Sequence, residues 1–278
     1  MDALQRVHLE IADIDAIFPH EIADVGREQR IKGRLQADGM LRDPLLVGAM
    51  PNANGYVLLD GTNRHGALAA LGLSRALVQV LDYTDSHAVQ LQTWCHATAF
   101  DVQQIADRAE SINDLEVHQT PPLETAALLS EMRTLAVVLG RKAHYVLRRN
   151  LDAATTRAEQ LRQVVDLYEH VMTRVDCDPE DVEERAGMLD GLEAGEQTLV
   201  AFPCFSRSQV RTMAMEGTRI PAGITRHIVL RGRALRVNVP LSLLQSDRSI
   251  DDARAGLGLH VRGLQPRHYQ EPTILFDS

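Results

Sequence analysis

The chain has 278 residues, 45% hydrophobic and 24% charged, an ordinary globular composition with ample material for a core. Asp and Glu outnumber Lys and Arg by 38 to 29, a formal net charge of −9, which disfavours a protein that binds nucleic acid by neutralising phosphates. With one Trp, five Tyr and five Phe, a base-stacking platform is also disfavoured.

The elements predicted in chain order begin with a short strand over Arg6–Ile11 and an amphipathic helix over Val25–Asp38, stopped by Gly39. Leu45-Leu46-Val47 and Tyr56-Val57-Leu58-Leu59 flank the turn residues Asn52, Asn54 and Gly55 and read as a hairpin. Asp60-Gly61-Thr62-Asn63 breaks the second strand and starts a helix that runs through Arg64 to Leu71 and ends at Gly72. Ala76–Leu81 is a further strand. Helices are expected over Asp101–Asp114, Leu123–Arg133 and Arg157–Thr173. Thr134–Leu139 and Ala143–Leu147 form a second hairpin. Leu199–Phe202 reads as a strand, and Ser206–Met215 as a helix capped by Ser206. Strands over Ile224–Leu230 and Ala234–Val239 are joined by a turn at Arg231-Gly232, and a last helix runs over about Ile250–Leu264.

The three cysteines, Cys95, Cys177 and Cys204, show no CxxC pairing and read as reduced thiols. Met1–Ile17 has no basic segment followed by an apolar one, and no run approaches the ~20 apolar residues that span a bilayer, so a cytoplasmic protein without a membrane partner is expected.

The stretch Leu58 to Gly66 carries the most chemistry. A strand ends in an acid and a glycine, and a helix then starts with polar and basic residues. Such a helix start offers unpaired N–H groups and a positive dipole end to a phosphate. Arg64 and His65 could add charge-assisted contacts. The plainer alternative is a capped helix in which Asp60 or Thr62 is the cap and Arg64 is solvated.

The ordered set His20-Glu21, Pro44-Leu45-Leu46-Val47, Asp60-Gly61-Thr62-Asn63-Arg64, Leu71-Gly72 and Val78 to Tyr83 resembles the ParB/sulfiredoxin-like fold. Within that fold it resembles the SbnI-like free L-serine kinases. Thr93-Trp94, Pro221 to Arg226 and Asn238 to Leu241 extend the likeness, which covers about 1–95 and 198–275. The resemblance implies an α+β protein. Residues 1–98 would form the nucleotide-binding domain and 99–197 a mostly helical middle region with a hairpin. Residues 198–278 would form an α/β segment completing the substrate pocket.

It also implies transfer of a phosphoryl group from ATP, or ADP, to L-serine with Mg²⁺, in the supply of O-phospho-L-serine to a siderophore-type pathway through 2,3-diaminopropionate. A homodimer is a further implication. Glu21 would be the catalytic base and Asp60 would lie beside the transferred phosphoryl. Gly61, Thr62, Asn63, Arg64 and His65 would contact the nucleotide, and Trp94, Thr225, Arg226 and His227 the serine. One position departs from the family pattern: its histidine before the arginine is Asn63 here, which carries no positive charge.

Two alternatives stay open. One is a ParB-like, nucleotide-dependent DNA-binding or regulatory switch, against which stand the charge and the lack of a basic recognition helix. The other is a degenerate kinase sensing haem or a metabolite, with ligands drawn from Cys95, His96, His118, His144, His170 and Cys177. Arg141, Lys142, Arg148 and Arg149 read as a solvated basic face, and Asp176–Glu184 as a solvated helix start.

Overall fold

The computed structural model describes residues 7–50, 55–121, 124–141, 143–152, 155–176, 198–245, 247, 249–265 and 267. Asn52 and Asn54 of the expected turn, Leu123, Lys142, Cys177 and the acidic stretch beyond Asp176 lie outside these residues. The contacts divide the chain into two compact units, each assembled from separate stretches. The first takes 1–17, 25–89 and 229–278, and the second 18–24 and 90–228.

The chain opens with β1 (His8–Asp13), β2 (Ile17–Pro19), α1 (Val25–Asp38) and β3 (Met40–Leu41). Next come β4 (Leu45–Ala49), β5 (Tyr56–Asp60), α2 (Thr62–Ala70) and β6 (Arg75–Leu81). β4 pairs antiparallel with β5 and parallel with β6, in a sheet of order β1-β6-β4-β5-β2. The apolar runs of β4 and β6 are buried without alternation because both strands lie inside the sheet. Helices α1 and α2 meet at Gly66, where an added Cβ would collide with the Glu28 carboxylate.

β7 (Val89–Thr98) follows, then α3 (Val102–Ala109), β8 (Leu115–Thr120), α4 (Thr125–Ser130), β9 (Thr134–Gly140) and β10 (His144–Arg149). α5 (Arg157–Asp166), β11 (Met172–Asp176), β12 (Thr198–Ala201), α6 (Arg207–Glu216) and β13 (Thr225–Val229) complete this stretch. These strands form a sheet of order β11-β7-β12-β9-β10-β8, with β13 paired to β7. β9 is buried at every position and is the core strand of the second unit. Helices α3, α5 and α6 each start on a reciprocal capping box: Asp101 with Gln104, Thr156 with Glu159, Ser206 with Gln209. β14 (Val239–Pro240) then pairs with β3, and α7 (Ile250–Arg262) buries Ala253 and Leu257 in the core of the first unit.

Several sequence expectations change. Among the described residues, the middle region supplies β8 to β11 as well as α3, α4 and α5. The helix expected over Arg157–Thr173 ends at Asp166, and Met172 opens a strand. Tyr168, fully buried, anchors the break by placing its hydroxyl 3.2 Å from His96 Nδ1. The strand expected over Ala234–Val239 is irregular until Val239, because Arg236 and Asn238 adopt left-handed φ values of 55° and 54°. Asp176 ends β11, and the rest of the acidic stretch lies outside the described residues. Long-range hydrogen bonding rather than local periodicity set each of these.

Candidate active site

The candidate residues form two clusters, one in each unit. In the first unit, β5 delivers Asp60 to the sheet end and Gly61 turns the chain into α2 with φ +105°. A Cβ on Gly61 would lie 2.7 Å from Leu45 Cδ2 and 3.1 Å from Arg64 Nε, so the turn requires glycine. The residue before α2 is Gly61, which has no side chain with which to cap the helix.

Asp60 instead accepts, on Oδ2, from two guanidiniums. Arg64 Nη2 lies 3.1 Å away, one turn along α2, and Arg233 reaches the same oxygen from the segment before β14. Partial burial works against ionisation of Asp60, but Arg64, Arg233 and the Gly61 N–H outweigh it and hold the carboxyl below its usual range. Thr62 and Asn63 lie in the first turn of α2. His65 is the member turned aside: its Nε2 is 3.2 Å from the Ile14 carbonyl, because consecutive helix positions point about 100° apart.

In the second unit, Glu21 lies on a short parallel bridge with Ile220. The Ile22 N–H donates to the Ile220 carbonyl at 2.8 Å, and the Ile220 N–H donates to the His20 carbonyl at 3.0 Å. Glu21 Oε1 accepts from the Thr225 hydroxyl at 2.6 Å and from the Gly223 and Thr225 N–H groups at 3.3 Å each. The loop before β13 thus grips one carboxylate oxygen. Trp94 is half-buried, and its backbone N–H donates to the Ile224 carbonyl at 3.0 Å. The Arg226 guanidinium stands 4.5 Å over the Trp94 ring and pairs with Asp176. His227 sets its ring edge-to-face against His20 at 5.6 Å. Glu21, Trp94, Thr225, Arg226 and His227 therefore gather around one edge of the sheet.

Sequence reasoning missed Arg233 and Asp176. Both reach their partners across long separations, 173 and 50 positions, that leave no local signal.

Among the described residues no group of three His, Cys, Asp or Glu is arranged to hold a metal ion. His96 is fully buried, with Nε2 2.8 Å from the Gly223 carbonyl and Nδ1 3.2 Å from the Tyr168 hydroxyl, so neither ring nitrogen is open to iron. His118 is exposed and paired with Glu116, and His170 packs against Phe100. The basic face is partly neutralised, since Arg148 pairs with Glu131 at 2.7 Å.

No protein-family model matches the chain. Its sequence is similar to the ATP-dependent L-serine kinase SbnI of Staphylococcus aureus, 27% identical over 247 residues that span 89% of this chain and 88% of that protein. Its fold is similar to that of SbnI with a C-terminal truncation, from the same species, at TM-score 0.71 and 22% identity. The match covers 92% of this chain and 96% of that one. A free serine kinase in complex with AMP superposes at TM-score 0.71 and 19% identity, covering 86% and 94% of the two chains. No described helix is long and apolar enough to cross a membrane.

Proposed function

We propose that the chain is a free L-serine kinase of the SbnI type, which transfers the terminal phosphoryl group of ATP to the serine hydroxyl. The reading is carried by one observation: Glu21 is an acid fixed through a single oxygen by three donors, in a chain similar to L-serine kinases over most of its length. The first unit is assigned the ParB/sulfiredoxin-like fold. The order of α1, the β4–β5 pair, the Asp60 turn into α2, and β6 returning parallel to β4 supports that assignment.

The first unit would hold the nucleotide. The N–H groups at the start of α2 and the guanidiniums of Arg64 and Arg233 supply positive potential to phosphate oxygens, while Gly61 lets the backbone come close. Asp60 keeps both guanidiniums in place and stays ionised.

The second unit would hold the amino acid. Arg226 suits its carboxylate, since a planar fork binds two oxygens at once, and Trp94 forms the wall beneath it. Asp176, already at Arg226, offers an acceptor to the ammonium. Glu21 Oε2 takes the hydroxyl proton as the serine oxygen bonds to phosphorus. The bond from that phosphorus to the bridging oxygen breaks, and its electron pair leaves with ADP. A base so placed contributes about 10²–10⁴ in rate. The product, O-phospho-L-serine, suits a pathway that needs an activated serine, as in siderophore assembly.

The test is phosphoryl transfer itself. Protein, Mg²⁺, L-serine and ATP, and separately ADP, are incubated and O-phospho-L-serine is measured by mass spectrometry. Wild type is expected to form it, and Glu21→Gln to lose at least about 10² in rate. A folded protein that binds ATP yet forms no product with either donor would overturn the kinase reading in favour of a nucleotide sensor.

A further inference from the structure

Glu21 is gripped by the loop before β13, and the hydroxyl in that grip leads back to the residue beside it in sequence. Thr225 Oγ1 lies 2.6 Å from Glu21 Oε1 and 2.8 Å from His20 Nε2. The hydroxyl has one proton to give. An ionised carboxylate only accepts, so that proton goes to Glu21. The contact with His20 must then run the other way, with Nε2–H donating to Oγ1. The direction of every bond in the series His20, Thr225, Glu21 is thereby fixed.

We propose that His20 and Thr225 are a positioning pair for the catalytic base, an inference that rests on Glu21 being that base. His20 is 1% exposed and Thr225 7%, so the series is shielded from competing water. The carbonyl of His20 also accepts from the Ile220 N–H, and His227 packs edge-to-face on its ring, which fixes the imidazole at backbone and side chain.

The chemistry explains why the pair matters. Among the described residues, every side-chain hydrogen bond to Glu21 falls on Oε1. That leaves Oε2 as the oxygen that takes the serine proton. When it does, Oε1 becomes the carbonyl oxygen of a carboxylic acid and still accepts from Thr225 and the two N–H groups. The network survives the proton transfer without rearranging, which is the property of a preorganised site. Thr225 and His20 touch no reacting atom in this account. They set the direction in which the lone pair of Oε2 points.

The experiment compares variants that keep and remove each donor. Thr225→Val and His20→Leu delete the hydroxyl and the imidazole donor at nearly constant volume. Each is expected to lower kcat by ~10–100-fold with the KM for ATP unchanged, the loss typical of one hydrogen bond to a charged group. Thr225→Ser and His20→Gln keep a donor at the same place, and each is expected to recover at least about tenfold over its apolar counterpart.

The double variant His20→Leu/Thr225→Val is expected to lose no more than the worse single one, because both cut one series. Nitrogen chemical shifts of His20 are expected to report a protonated Nε2. Equal activities of Thr225→Ser and Thr225→Val, or losses that multiply in the double variant, would overturn the pair. Failure of the base reading looks different: Glu21→Gln would then keep its activity whatever His20 and Thr225 do.

Discussion

Arg233 and Asp60 meet although 173 positions of chain separate them. The contact is built on Gln79, a buried side chain of β6. Its Nε2 donates to the Gly232 carbonyl at 3.0 Å and its Oε1 accepts from the Ala234 N–H at 2.8 Å. The backbone on both sides of Arg233 is thus pinned. With Arg64 on the same carboxylate oxygen, two cations and one anion sit at the start of α2, a net positive seat reinforced by the helix dipole.

The same arrangement bears on Asn63, a neutral amide in the first turn of α2, since the positive charge there comes from Arg64 and Arg233. Arg233→Ala is expected to weaken ADP binding about tenfold, or about 1.4 kcal/mol, in a calorimetric titration. Asn63→His is expected to change binding less than about threefold in the wild type, yet to recover much of the loss in the Arg233→Ala background. Equal effects of Asn63→His in both backgrounds would separate the two positions.

A second prediction concerns the turn into α2. Gly61→Ala must hold a φ near +105° and also displace Leu45, which is fully buried, or Arg64. Gly72, after α2, has φ +71° and no atom within 4 Å of an added Cβ. Both alanines carry backbone strain, of order 1–3 kcal/mol, but only the first adds a collision. Thermal denaturation is expected to show Gly61→Ala several degrees below Gly72→Ala, and only Gly61→Ala is expected to lose nucleotide affinity.

How much of this could be read from residues alone follows the range of the interactions. The β4–β5 pair, the helix starting after Gly61 and the Ser206 cap rest on chemistry within a few positions, and each formed where expected. The β7 strand is absent from the expected elements although Val89, Gln90, Leu91 and Gln92 alternate, because the alternation stops at Thr93 and the polar His96 and Thr98 are buried. Arg233 on Asp60 and Thr225 on Glu21 required the folded chain, because nothing near Arg233 or Thr225 in sequence names its partner. Arg236 and Asn238, left-handed and non-glycine, break a stretch whose apolar alternation otherwise reads as a strand.

The amino-acid end of the site makes a third prediction. Arg226 lies over Trp94 and holds Asp176, so its fork is oriented before any ligand arrives. A lysine keeps the charge but loses the planar pair of donors and most of the stacking. Arg226→Lys is therefore expected to raise the KM for serine about tenfold, with kcat within about threefold of wild type and ATP affinity unchanged. A change confined to kcat would place Arg226 in the transfer step instead.

The last prediction is a pH dependence of stability. His96 is fully buried between the Gly223 carbonyl and the Tyr168 hydroxyl. Burial first, and the Arg174 charge after it, push its pKa down from 6.5 to about 4, against the opposing pull of the bond to Gly223. Between pH 6.5 and about 4 the unfolded chain therefore binds a proton at His96 that the folded chain refuses. Acidification through that window favours unfolding, by on the order of 3 kcal/mol when complete, and above pH 6.5 the group adds no pH dependence. Carboxylates titrate in the same range, so the comparison with His96→Gln isolates the imidazole. The variant is expected to be the less stable protein at pH 7, since it loses one of the two buried contacts. Its urea midpoint is expected to fall less steeply than that of wild type between pH 6.5 and pH 4.5. Parallel midpoint curves for the two proteins would show that His96 keeps an ordinary pKa in the fold.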